Sequence, residues 1–359
     1  MRRFRPLQFL LQTALLLLMS VSISFADSME KEIALGKKVS AELEKRWETT
    51  ADPVQMARLE LTLAKLVPFT TRPLPYEVRM IRDKMVNAFC LPGGIIYFST
   101  GMLDFLRTDA EIAAIMAHEL VHADRNHVMK QAARSSRVSV AALALMIASR
   151  GAVGPMILTN LLQVAVTNAY SMDLEREADK EGFKMLVSAG FPPAAMVTTL
   201  EAMIYDQIKR PIVDLGVYAT HPELSERLHY IVDMAEEMRV PLERKKALRL
   251  LRPAIRPEGG DLVLTVDGME VCRSSAGEEG RIVLEKLFES IESSLQMETP
   301  PYDIQVLEIG GAKALRIGPV LAAREPLPEG TTPLSNLRES LVEALLAARD
   351  RHPSSGYNR

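Results

Sequence analysis

Apolar residues recur along most of this chain at intervals of three and four, the spacing that lays a single stripe along a helix. Residues 28–50 show it first, with Ile33, Val39, Leu43 and Trp47 on a common face. A second helix opens at Asp52-Pro53, with proline in its first turn, and runs to about Val67. The period then drops to two at Tyr76–Ile81, which predicts a strand. In Asn87–Gly101, the turn Pro92-Gly93-Gly94 precedes the β-rich run Ile95–Ser99, so a hairpin is expected. It leads directly into a helix over Thr108–His127, with Thr108 as N-cap and Ile112, Ile115, Met116 and Leu120 as its stripe. Further helices are predicted over 173–189 (ended by Gly190-Phe191-Pro192-Pro193), over 194–209, and from His221-Pro222 to about Met238.

Val138–Asn168 breaks this pattern by being apolar all round. Arg150, Gly151 and Gly154-Pro155 divide it into halves too short to cross a bilayer, and Arg150 would sit in the middle of a single span. Two short helices are expected, packed on the core, lying on a membrane surface, or covering an active site. Pro241, the basic Leu242–Leu251 and the Pro/Gly-rich stretch to Gly260 read as a linker over 241–260. Beyond it, strands at Asp261–Asp267, Tyr302–Leu307 and Ala314–Val320 alternate with helices at Gly280–Gln296 and Ser335–Ala347. These make a small α+β domain over 261–350 with no candidate chemistry, and no internal repeat is visible in the sequence. The expected fold class is α+β: a mainly helical domain over 27–240 with a small β-hairpin or sheet, then the smaller one.

A length of 359 residues accommodates two such cores. The net charge of −3, and the lack of a basic patch interleaved with aromatics, argue against a nucleic-acid partner. Arg2, Arg3 and Arg5, the apolar Leu7–Val21 and the small residues of Ser24-Phe25-Ala26 predict a secretory signal over 1–26, either cleaved or kept as an anchor. Export permits a disulfide, but Cys90 and Cys272 fall in different predicted domains and read as two free thiols.

Chemistry concentrates in His118-Glu119-Leu120-Val121-His122. On a helix, positions i and i+4 share a face, so both imidazoles can point at one ion. Glu119, one step round, can reach a water on that ion without ligating it. This is the arrangement in which zinc peptidases use two histidine ligands and a glutamate base. A catalytic zinc takes three protein ligands, and the best source of a third is Tyr170-Ser-Met-Asp-Leu-Glu-Arg-Glu-Ala-Asp179. There Glu175 and Asp179 share a face and Glu177 is turned away. Spacing alone leaves open whether that pair serves a metal or lines an ordinary charged helix. The hairpin leaves a similar choice, since its free edge can bind an extended peptide or be purely structural.

Taken together and in order, these segments resemble the gluzincin family of CAAX prenyl proteases, HtpX-type proteases and BepA-type periplasmic proteases. The likeness rests on Asn87-Ala-Phe-x-x-Pro-Gly-Gly, Thr100-Gly-Met-Leu, the HExxH helix with its Arg125-x-His127 tail, the Glu175–Asp179 segment, and Thr220-His221-Pro-x-x-x-x-Arg227. Met172 stands where many members carry arginine. The resemblance covers roughly residues 30–240. It implies a zincin-like metalloprotease domain holding one Zn2+ through His118, His122 and Glu175, with Glu119 as general base and Asp179 supporting a ligand. It also implies that His221 can take the fourth zinc position and hold the enzyme off, although a plain helix-start residue stacked on Pro222 fits the same sequence. Arg227 or His221 is the expected stabiliser of the oxyanion. The resulting expectation is an exported, periplasmic zinc metalloendopeptidase with peripheral membrane contact, acting on unfolded or misassembled envelope proteins in quality control. The alternative is a chaperone-like envelope binding or scaffold protein with a latent zinc site. Lipid-linked substrates are disfavoured, because the chain lacks an enclosing set of membrane helices.

Overall fold

The computed structural model describes residues 29–136, 155–166, 170–209, 216–217, 221, 223–296 and 299–351. The expected signal over 1–26 and the first half of the apolar stretch after Val138 lie outside them. The chain divides into two units, Met1–Phe191 with Arg210–Arg227, and Pro192–Lys209 with Leu228–Arg359.

In the first unit, helix α1 (residues 29–43) buries Leu35, Val39 and Leu43. It is shorter than predicted, ending before Trp47 in a turn that leads to a two-residue strand, β1 (Thr49–Thr50). Helix α2 (Pro53–Leu66) starts as expected, with the Asp52 carboxylate accepting from the Gln55 N–H. Strand β2 (Glu77–Ile81) follows, then the hairpin β3 (Ala88–Leu91) and β4 (Ile95–Ser99). The sheet order is β1-β2-β4-β3, with β2 parallel to β4 and β3 antiparallel to it, so β3 is an edge. The hairpin turn needs its glycines. Gly93 and Gly94 have φ of 82° and 93°, in the left-handed region. Gly36 on α1 lies against the same turn so closely that a Cβ there would fall 1.8 Å from the Pro92 carbonyl oxygen.

Ser99 ends β4 and caps the short helix α3 (Thr100–Phe105), which the sequence pattern did not predict. Helix α4 (Asp109–Asp124) then begins with a reciprocal capping box: Thr108 Oγ1 accepts from the Glu111 N–H, and the Glu111 carboxylate accepts from the Thr108 N–H. Except for Asp109 and Ile115, every α4 residue is buried, which makes it the central element of this unit. It packs on α2, on β3 and β4, and on the Met172–Ser188 helix described below. At its far end the Asp124 carboxylate accepts from the Thr71 and Arg72 N–H groups, the Thr71 hydroxyl and the Tyr76 hydroxyl, fixing the loop ahead of β2. Helix α5 (His127–Ser136) follows after Asn126, which has a positive φ of 57°. The described half of the apolar stretch is helix α6 (Pro155–Val166), with Leu161, Leu162, Val164 and Ala165 buried. Helix α7 (Met172–Ser188) completes the set, stopped at Gly190 with φ of 74°. Among the described residues no helix is long and apolar enough to cross a membrane.

The second unit begins with helix α8 (Ala194–Lys209) and takes in helix α9 (Leu224–Glu237) from Leu228 onward. The stretch expected to be a linker carries the helical turn α10 (Arg244–Ala247) and strand β5 (Pro253–Glu258), paired antiparallel with β6 (Asp261–Val266). Two prolines disguised β5, which is tolerable because it lies at a sheet edge. Arg244 is anchored on Glu201 of α8 at 2.9 Å, and the buried Lys245 donates to the Leu295 carbonyl. Strand β7 (Met269–Ser275) closes the meander β5-β6-β7, and helix α11 (Glu278–Gln296) follows. The pattern then recurs: β8 (Ile304–Ile309), β9 (Ala312–Ile317) and β10 (Val320–Arg324) form a second meander, followed by helix α12 (Leu334–Arg351). This duplication of architecture is not announced by any self-similarity of sequence. One shared core, including Leu264, Leu284, Ile291, Leu315 and Leu341, joins both halves. Cys90 and Cys272 are free, buried thiols in different units.

Candidate metal centre

His118, Glu119 and His122 project from α4, Glu175 and Asp179 from α7, and Arg227 from the first turn of α9, with His221 just ahead of that helix. All seven are buried and all belong to the first unit. The capping box fixes where α4 starts, and the i, i+4 spacing does the rest.

Ligating atoms from His118, His122, Glu175 and His221 lie within 4.8 Å of one another. His118 Nε2 is 3.0 Å from His122 Nε2, 3.5 Å from Glu175 Oε2 and 3.2 Å from His221 Nδ1. His122 Nε2 is 3.4 Å from Glu175 Oε1, which is 2.9 Å from His221 Nδ1. A tetrahedron with bonds of about 2.0–2.1 Å has edges of about 3.3 Å. These separations, two of them to Glu175 Oε1 and one to its Oε2, lie close to that edge, so the donors are already gathered at the spacing Zn2+ requires. Their chemistry agrees, because two imidazole nitrogens facing each other at 3.0 Å with a carboxylate alongside need either a hydrogen or a metal between them. The residues fit the metal.

Each ligand is held from behind. His118 Nδ1 donates to Asp179 Oδ1 at 2.9 Å. Arg227 grips the same carboxylate through Nε and Nη2, both at 2.8 Å, and its Nη1 lies 3.0 Å from Glu175 Oε2. With all three nitrogens turned to carboxylates, Arg227 holds the ligand shell, and an oxyanion would have to compete for it. The Tyr170 ring stacks on His122, centroids 4.1 Å apart. Burial would push His118 down, yet the Asp179 and Glu175 carboxylates outweigh it and raise the group to about 9. Burial would raise Glu175 and Asp179, but the neighbouring His221, Arg227 and His118 hold Glu175 far below the usual carboxylate range, and Arg227 with His118 does the same for Asp179. Burial dominates at His122 and drives it well below an ordinary imidazole.

Glu119 lies beside the cluster, with Oε1 3.5 Å from His221 Nε2 and the buried Oε2 without a hydrogen-bond partner. Burial raises this carboxyl. The edge strand runs alongside. Asn87 uses its N–H and C=O on Ser99, so by strand alternation the backbone groups of Val86, Ala88 and Cys90 point away from β4, on an edge where Ala88 and Cys90 are fully buried. Val86 spends its carbonyl on the Val217 N–H, and Asn87 Oδ1 is buried without a partner.

The arrangement brings together every residue that the sequence nominated. It adds Tyr170, Asn87 and Glu177, whose positions only the packing reveals, and sets His127, for which the sequence suggested a packing or supporting role, against His122. Residues 53–235, about half of the chain, match the model of peptidase family M48. Similar proteins include the mitochondrial metalloendopeptidase OMA1 of Arabidopsis thaliana, 30% identical over 176 residues, covering 48% of this chain and 34% of that protein. The metalloprotease LoiP of Escherichia coli (strain K12) is 32% identical over 168 residues, 45% of this chain and 63% of that one. The beta-barrel assembly-enhancing protease of the same strain is 28% identical over 174 residues, 46% of this chain and 35% of that one. The chain thus spans between a third and two thirds of the length of these relatives. Family match and site geometry agree: the chain belongs to peptidase family M48.

Proposed function

We propose that this protein is an exported zinc metalloendopeptidase that cleaves unfolded or misassembled envelope proteins, with His118, His122 and Glu175 as zinc ligands and Glu119 as general base. The observation that carries the reading is the Glu119 carboxylate, buried beside a converging set of four potential ligands and left with an unpartnered oxygen. When bound there, zinc would polarise the scissile carbonyl and acidify the attacking water. Glu119 takes the proton from that water and passes it to the leaving amine, a transfer favoured by its raised pKa, which brings it closer to neutrality. Asp179 keeps His118 in the tautomer whose Nε2 faces the cluster, and Arg227 holds Asp179 and Glu175 in place. An extended substrate strand would pair with the edge strand β3 once the cover over the buried Ala88 and Cys90 moves aside, which selects for unfolded chain over folded protein. The expected leader over 1–26 and a relative named for β-barrel assembly support an envelope location, and the apolar residues after Val138 support contact with a membrane surface.

His221 acts as a gate in this reading. Its Nδ1 stands at the fourth corner, where the reacting water belongs, and its N–H bonds to the carbonyl of Val217, which in turn occupies the edge at Val86. The same closed corner favours a second reading, a chaperone-like binding or scaffold protein whose zinc site is latent. Cleavage of casein or a denatured envelope protein decides between them. Glu119→Gln should bind Zn2+ and fold as the parent does while losing about 100-fold or more in rate. If neither the parent nor a His221→Ala variant cleaves although both hold stoichiometric zinc, the scaffold reading replaces the protease.

A further inference from the structure

Behind His122, away from the cluster, its Nδ1 faces His127 Nδ1 at 2.9 Å, the rings nearly perpendicular at 80°. The other nitrogen of His127, Nε2, meets Glu177 Oε2 at 3.2 Å. Glu177 Oε1 in turn lies 3.5 Å from Arg125 Nε. Both histidines are fully buried, while Glu177 is 39% exposed in its side chain. Glu177 does turn away from the metal, as its place on α7 predicted. It turns toward the histidine that supports a ligand.

The proton count along this line has one solution. A carboxylate only accepts, so His127 Nε2 carries a hydrogen toward Glu177. His122 can ligate through the Nε2 that faces His118 and Glu175 only if that nitrogen keeps its lone pair, so a neutral His122 carries its hydrogen on Nδ1 and His127 Nδ1 accepts it. The hydrogen between the two rings therefore belongs to His122 Nδ1, which leaves His122 Nε2 with its lone pair aimed at His118 and Glu175.

We propose that His127 and Glu177 are positioning residues that set the tautomer of the metal ligand His122, with Glu177 fixing His127 and His127 fixing His122. The two histidine ligands are thus oriented by different means, His118 directly by a buried carboxylate and His122 through a second imidazole that ends on a surface carboxylate. The inference rests on the reading of His122 as a metal ligand, although the tautomer itself exists without a metal. Second partners of ligating histidines are worth about 10–100-fold in metal affinity.

The test is made on the full chain with ring-15N histidine. Long-range 1H–15N correlation on the metal-free protein should show the His122 ring protonated at Nδ1 and the His127 ring at Nε2. Zn2+ affinity is then measured by competition with a chromogenic chelator. His127→Leu should lower it about 10–100-fold, and His127→Gln, whose amide both accepts and donates, should recover most of the loss. Glu177→Ala, at a half-exposed position that leaves the fold intact, should weaken Zn2+ binding and give a mixture of His127 tautomers. A His122 ring protonated at Nε2, or variants binding Zn2+ as the parent does, would overturn the proposal. Because the tautomer is read without zinc, a parent that fails to bind metal defeats the protease reading while the relay is still judged by its own signal.

Discussion

Replacing Arg227 with methionine tests the ligand shell most severely. Its guanidinium makes two bonds of 2.8 Å to Asp179 and a contact of 3.0 Å to Glu175, both carboxylates with no exposed surface. Without it, Asp179 loses the cation that grips both its oxygens, and the negative charge on Glu175 loses its nearest fixed cation. Removing one partner from a buried pair costs about 3–5 kcal/mol, because the remaining charge stays buried and uncompensated. Methionine replaces most of the apolar stem, so the loss is electrostatic more than volumetric. The assay is urea unfolding of the chelated protein, followed by fluorescence of Trp47, the sole tryptophan, which lies in the same unit. With a slope of about 2 kcal/mol per molar urea, the midpoint should fall by roughly 2 M. Asp179→Asn alone should also be destabilising. The double variant should be more stable than the sum of the singles predicts, by about 2 kcal/mol, because each removes the other's unpaired charge. A single-variant loss below about 1 kcal/mol, or simple additivity, would refute the assignment of Arg227 as the anchor of these carboxylates.

His221→Ala opens the fourth corner and should raise cleavage of an unfolded substrate several-fold while loosening zinc, measured by initial rates and chelator competition; an unchanged or lower rate would remove its gating role. In the metal-free protein His118 is raised from 6.5 to about 9, so the stability it contributes is complete below pH 6.5 and disappears as pH rises through 9. Chelated protein should therefore lose about 3 kcal/mol between those limits, whereas Zn2+, which competes with that proton, should bind more tightly as pH rises; denaturation at three pH values with and without metal checks both signs. Gly36→Ala places a Cβ 1.8 Å from the Pro92 carbonyl oxygen and should cost about 1–3 kcal/mol by forcing α1 off the hairpin turn, visible in thermal unfolding.

Much of the first unit was legible because its signals are local. The capping box, the alternation of β2, the Pro-Gly-Gly turn and the i, i+4 spacings of His118/His122 and Glu175/Asp179 are each written within a few residues. What the sequence hid depends on packing between distant segments. Glu177 looked idle because helical spacing reports only which way a side chain leaves its own helix, not that α5 brings His127 to meet it. Arg227 looked available for an oxyanion until α9 set it against α7. In the second unit, β5 was masked by Pro253 and Pro257, and β10 was merged with β9 because the turn between them is short. The resemblance to CAAX-type and BepA-type proteases added the third ligand, which spacing alone left undecided.

The two meanders of the second unit exchange their helices. Helix α11, which follows the first meander, packs on β10 and β9 of the second as well as on β5, β6 and β7, and helix α12 reaches back to β7 as well as covering β8 and β9. Neither half can therefore hide its own apolar face before the other has been made. During synthesis, the strands β5 to β7 emerge and wait for α12, which lies at the far end of the described chain. The unit is a clasp that shuts only when its last helix arrives, so a chain cut before Leu334 would leave β7, β8 and β9 without part of their cover.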